Sequence, residues 1–137
     1  MIYKAQLKTR LRSWTREGER DEISQTVRAM IAVHDDNSWS LRYHEQDNDG
    51  QTSLAGCREW MTLQREGSVR SRMRFVVDQL QAALYVTPYG EFDVATRAEH
   101  YTYAVTDHSG RLSLHYDLLI SGELVARNKL EVEWHKI

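Results

Sequence analysis

The feature that most restricts the fold is an apolar–polar alternation of period two, sustained over two neighbouring segments near the C-terminus. From 111 to 120 the even positions are Leu112, Leu114, Tyr116, Leu118 and Ile120, while Arg111, Ser113, His115 and Asp117 are odd. From 124 to 134 the even positions are Leu124, Ala126, Asn128, Leu130, Val132 and Trp134, set against Arg127, Lys129, Glu131 and Glu133. Successive side chains of a β-strand point to opposite faces, so each segment reads as a strand with one buried face. A three-residue turn, Ser121-Gly122-Glu123, pairs Ile120 with Leu124, and hence Leu118 with Ala126, Tyr116 with Asn128 and Leu114 with Leu130. A slip of one residue would turn every apolar side chain outward, so turn and alternation specify the same register.

The pattern extends upstream. Asp107-His108-Ser109-Gly110 is expected as a four-residue loop that sets Val105 opposite Leu112, Tyr103 opposite Leu114 and Tyr101 opposite Tyr116. Odd positions face inward there, yet the apolar Phe92 and Val94 are even, so a β-bulge is expected within 96–100. Residues 3–14 and 22–34 read as long strands joined by Arg16-Glu17-Gly18-Glu19. Trp39, Leu41 and Tyr43 alternate with Ser40, Arg42 and His44, before a turn at Asp47-Asn48-Asp49-Gly50. Segments 58–64 and 68–77 form a hairpin around Arg65-Glu66-Gly67, and 79–87 ends at Pro88-Tyr89-Gly90. A short helix is expected at 52–57. No linker, repeat or low-complexity tract interrupts the chain, which is read as one domain over residues 1–137. The fold class is all-β: a single closed or nearly closed antiparallel up-and-down barrel of eight or nine strands, closure being the arrangement that removes exposed edges.

Charge and cysteine content narrow the setting. A formal net charge of -2 gives no global attraction to nucleic acid or an anionic membrane. One cysteine, Cys57, excludes an intrachain disulfide and fits a reducing compartment. The first residues alternate charged and apolar side chains, unlike a signal peptide, and no stretch reaches transmembrane length. The expectation is a cytoplasmic protein.

Tyr43-His44-Glu45, Arg65-Glu66-Gly67, Tyr85-Val86-Thr87-Pro88-Tyr89-Gly90 and the final strand pair, in this order and spacing, resemble the bacterial DUF1934 family of unknown function. The resemblance covers most of the chain and is most specific from Gly67 to Trp134. The 47–57 stretch and the arginine-rich 69–74 strand depart from it. It implies a calycin (lipocalin-like) barrel and supplies no activity, ligand or catalytic residue.

Two groups of residues could carry function. The expected registers place Tyr101, Tyr116 and Asn128 side by side on the inner face, with Tyr103 one step along. Phenols and an amide converging inside a small barrel can orient one small molecule, or can satisfy one another as buried polar groups do. Arg70, Arg72 and Arg74 share one face of a strand. Turned inward, Arg72 and Arg74 would line an anion pocket; turned outward, they are a solvated stripe. Glu45 shares the parity of Tyr43 and is expected at a rim. The six histidines show no helical metal spacing, and no nucleophile–base–acid arrangement survives the strand geometry.

The function expected is therefore binding of a small molecule inside the barrel, through Tyr101, Tyr103, Tyr116, Asn128, Arg72 and Arg74, without cofactor, metal or catalysis. The alternative is a filled barrel acting as a protein-interaction or homodimeric module. Neither membrane nor nucleic acid is expected as a partner.

Overall fold

A computed structural model describes residues 1–46 and 49–137; half of the turn expected at Asp47-Asn48-Asp49-Gly50 lies outside them. The strands are β1 (Ile2–Thr15), β2 (Arg20–Val33), β3 (Trp39–His44), β4 (Gln51–Gly56), β5 (Met61–Glu66), β6 (Arg70–Phe75), β7 (Leu80–Thr87), β8 (Gly90–Glu91), β9 (Val94–Val105), β10 (Ser109–Ile120) and β11 (Glu123–Lys136). Neighbours in sequence are neighbours in the sheet, β11 pairs with β1, and the β6–β7 pairing closes the wall. The result is a ten-stranded antiparallel barrel, with the two-residue β8 as a spur on β7. No helix among the described residues is long and apolar enough to cross a membrane.

The count exceeds the eight or nine strands expected because 51–56 is a strand where a helix was expected over 52–57. Thr52, Leu54 and Gly56 alternate inward there, and Leu54 is opposite both Leu41 and Leu63. Packing between two inward-facing rows outweighs weak local preference.

The C-terminal hairpin has the expected pairs Leu118–Ala126, Tyr116–Asn128 and Leu114–Leu130 by a different route. Its turn has two residues, Ser121 and Gly122, both at positive φ, which suits the twist of a tight hairpin. A bulge beside Leu118 and Leu119 absorbs the residue thus freed.

The β9–β10 loop is also tighter than expected. Thr106 N–H donates to the Ser109 carbonyl at 2.8 Å. The Thr106 hydroxyl accepts from the Ser109 and His108 N–H groups at 3.0 and 3.3 Å. Tightening slides β9 by two residues, so Tyr103 faces Leu112 and Tyr101 faces Leu114. A shift of two leaves every side chain on its expected face. The bulge expected in 96–100 is present: His115 is opposite His100, Tyr116 is opposite Ala98, and Glu99 is the extra residue. Val94, Thr96 and Ala98 face inward before it, Tyr101, Tyr103 and Val105 after it.

One end of the barrel is plugged. Trp39 and Trp134 are fully buried, 6.1 Å apart, and the Trp134 indole N–H donates to the Tyr3 hydroxyl at 2.9 Å. Gly110 makes this possible, since a Cβ there would stand 2.0 Å from Trp134 Cζ2. Gly56 does the same for the second indole, with 2.8 Å to Trp39 Cζ2.

The other end stays open because strand lengths differ. β1, β2 and β11 have 14 residues, β9 and β10 have 12, and β3 to β6 have six each. β3 therefore pairs with β2 only from Met30 to Val33, and the wall parts below that point.

Candidate functional site

Each short strand ends its inward row, at this open end, in a polar residue. On β3 the row Trp39, Leu41, Tyr43 continues to Glu45; on β5, Met61 and Leu63 continue to Arg65; β4 opens with Thr52. Tyr85 of β7, opposite Ser71, and Tyr116 of β10 complete the ring. Together they line a cavity of about 390 Å³ whose floor is Leu11, Leu54, Leu63, Leu130 and Val132.

The Glu45 carboxylate spans the parted wall. It accepts from the Gln25 side-chain amide at 3.1 Å, and its other oxygen accepts the Thr52 hydroxyl. Burial pushes the Tyr43 phenol up to about 12, helped by the Glu45 charge and opposed by that of Arg65. Burial also raises Tyr116, and Arg65 again pulls the other way. Both phenols are protonated at neutral pH, Tyr43 meeting the Thr52 side chain and Tyr116 that of Asn128.

The expected site residues are divided among three places. Tyr116 lines the cavity, packed on Phe75 with ring centroids 4.7 Å apart. Asn128 is its cross-strand neighbour as expected, and is buried with its side-chain oxygen accepting the Ser13 hydroxyl. Tyr101 and Tyr103 face inward but toward the plugged end. Tyr101 donates to the Cys57 carbonyl at 2.9 Å and stacks on Tyr103, which leans on Trp39. The two-residue slide and the Glu99 bulge thus separate Tyr101 from Tyr116, which the expected register had put side by side. Arg72 and Arg74 lie on the outer face, alternating with buried Ser71, Met73 and Phe75. They do not join the inner group; Arg74 covers the Trp60 ring at 4.8 Å, and Arg70 pairs with Glu66 at 3.6 Å.

Arg65, Tyr43, Thr52, Tyr85 and Gln25 were not singled out from the sequence. A usable signal was present, for Arg65 and Glu45 each extend an inward row by one further step of two. A charged side chain in that position marks the lip of a barrel rather than a loop.

A broader hollow of about 1010 Å³ lies on the outside, over β1, β2, β10 and β11. Its charges are mixed, with Lys8, Arg10 and Arg111 beside Glu131 and Glu133, and two of them are already paired, Arg10 with Glu22 and Glu131 with Arg12. The inner cavity, by contrast, gathers polar groups around an apolar floor, the usual constitution of a small-molecule site. Among the described residues no group of three or more His, Cys, Asp or Glu could hold a metal ion.

The model of the family described as "Domain of unknown function (DUF1934)" matches residues 7–132. The chain belongs to this family. The DUF1934 barrel is also similar to the crystal structure of the ywiB protein from Bacillus subtilis, with a TM-score of 0.86 at 19% identity, covering 99% of this chain and 93% of that one. At that identity the likeness bears on the fold. No curated protein sequence matches the chain.

Proposed function

We propose that this barrel binds a small, largely apolar molecule in its open end, contacting Tyr43, Tyr85 and Tyr116. The observation that carries the reading is the asymmetry of the interior, filled by two indoles at one end and hollow over an apolar floor at the other. Phenol hydroxyls supply orientation, and the largely apolar floor supplies affinity. No reaction is part of the proposal. Tyr101, Tyr103 and Asn128 support the walls rather than touch the ligand. The same reading takes the barrel as calycin-like (lipocalin-like) and sets it in a bacterial cytoplasm, where its one free, half-buried Cys57 stays reduced.

Native mass spectrometry of protein purified gently from its own type of cell, beside a denatured control, tests this. An added mass that is lost on denaturation is the expected result. A ligand-free spectrum counts against the reading, and a ligand-free dimer favours the alternative of an interaction module. One feature supports that alternative: Leu80, on the outer side of β7, is 61% exposed.

A further inference from the structure

We infer that the molecule held in the open end carries one anionic group, a carboxylate or phosphate monoester, presented to Arg65 above an apolar body. This rests on the small-molecule reading above and specifies its ligand.

Three charged residues line the mouth, Glu45, Glu66 and Arg65, and their partners differ. Glu45 is engaged from within the protein, Thr52 donating to one oxygen and Gln25 to the other. Arg65 makes no ion pair and no side-chain hydrogen bond among the described residues. The adjacent carboxylate, Glu66, cannot serve it: it lies on the outer face of β5 and pairs with Arg70. A guanidinium offers five N–H donors in a planar fork that fits a carboxylate or phosphate bidentately. Arg65 belongs to the inward row of β5, lines the cavity, and stands in the ring that contains Tyr43 and Tyr116.

The consequence for a ligand is directional. A cationic head would have to displace Gln25 or Thr52 from Glu45 while facing the charge of Arg65. An anionic head meets the uncommitted donors of Arg65 with phenols beside it, against the charge of Glu45, whose oxygens are already held by Thr52 and Gln25. Beneath the head, Leu11, Leu54, Leu63, Leu130 and Val132 are interrupted by one polar side chain, the buried Thr9 opposite Val132, so the remainder of the molecule is largely apolar. The cavity of about 390 Å³ holds roughly a dozen non-hydrogen atoms, taking roughly the volume each water occupies in the liquid.

Three probes sharing one alkyl chain separate the ideas: octanoate, octanol and octylamine, titrated into the full chain by isothermal calorimetry with thermal melting alongside. Octanoate is expected to bind about tenfold more tightly than octanol, a difference of about 1.4 kcal/mol, with octylamine weakest. Arg65→Gln is expected to reduce octanoate to the affinity of octanol and leave octanol unchanged, whereas Arg65→Lys retains part of the preference. Arg65 is exposed, so both variants keep the fold, which the melting curves check. Equal binding of octanoate and octanol, or a preference that survives Arg65→Gln, overturns the anionic head and leaves small-molecule binding standing. Failure of all three probes overturns the small-molecule reading itself, and this inference with it.

Discussion

At the plugged end of the barrel, Trp39 and Trp134 pack against each other, Tyr3 accepts the Trp134 indole N–H, and Tyr101 donates to the Cys57 carbonyl. At the open end, Tyr43, Glu45, Arg65 and Tyr116 belong to inward rows of the same wall, Tyr43 and Glu45 two and three steps along from Trp39, yet enclose a cavity. Both ends are made by the same alternation of period two, so alternation does not decide which end is filled. Two other things do. Gly56 and Gly110 give the indoles volume that any Cβ would take, and the six-residue strands β3 to β6 stop short of the long strands beside them. At the plugged end the Tyr3 and Tyr101 hydroxyls and the Trp134 N–H bond one another or backbone carbonyls, while Arg65 at the lip has no side-chain partner among the described residues. The first arrangement serves stability, and the second leaves a guanidinium uncommitted.

Truncation should expose this difference most strongly. Trp134→Ala removes a fully buried indole and leaves the Tyr3 hydroxyl only its bond to the Thr106 carbonyl, with an expected loss of about 3–5 kcal/mol in urea unfolding. Arg65→Ala, at the lip, should change stability by no more than about 0.5 kcal/mol. Comparable losses at the two sites would show that the open end is as tightly packed as the plugged one, and the contrast drawn here would fail.

Alkaline titration sharpens the comparison in the middle range. Burial raises the Tyr43 phenol from 10.0 to about 12, and also raises Tyr101 at the plugged end. Below pH 10 both folded and unfolded chains hold these protons, so the stabilisation is complete. Between pH 10 and about 12 the unfolded chain releases the Tyr43 proton while the folded one keeps it, and stability falls as pH rises. Tyr43→Phe should flatten that slope at a smaller cost at neutral pH, because the Thr52 hydroxyl that meets it also donates to Glu45. Tyr101→Phe should flatten it and also lower stability at pH 7, because the Cys57 carbonyl loses its donor. Ultraviolet absorbance of tyrosinate beside circular dichroism reads both, and equal behaviour of the two variants at neutral pH would break the distinction.

Much of the wall was legible in the sequence and much of the cavity was not, for physical reasons visible in single residues. The inward row Leu112, Leu114, Tyr116, Leu118 could be read because burial imposes one parity along a whole strand. The bulge at Glu99 could be read because parity changed across it. Loop length was harder: Thr106 closes a two-residue turn through its own hydroxyl, and the resulting slide of two positions keeps every parity intact. That silent slide is what moved Tyr101 away from Tyr116. β4 was missed because Thr52, Leu54 and Gly56 give too short a row for alternation to stand out, and its pairing with Leu41 and Leu63 is not a local property. The cavity depends on where strands of unequal length stop, and on which strand stands across from Arg65, neither of which a single segment contains.

The boundary between the two ends carries the smallest effect. On β9 it is the Glu99 bulge, and directly beside it His100 and His115 pair across the strands with ring centroids 4.7 Å apart. Burial lowers the pKa of His115 below 6.5, assisted by the His100 ring and by Lys129, while Glu131 opposes the shift. Above pH 6.5 neither the folded nor the unfolded chain protonates this imidazole, and its stabilisation is complete. As pH falls below that value the unfolded chain takes up a proton that the folded chain resists, so stability declines until the folded imidazole also titrates. His115→Gln should remove this shallow acid slope without altering the alkaline one, since Tyr43 and Tyr101 lie on the inner face. Urea midpoints measured from neutral to mildly acidic pH decide it. An unchanged slope in His115→Gln would mean that burial beside the bulge does not hold this imidazole neutral and that the acid slope arises from other groups.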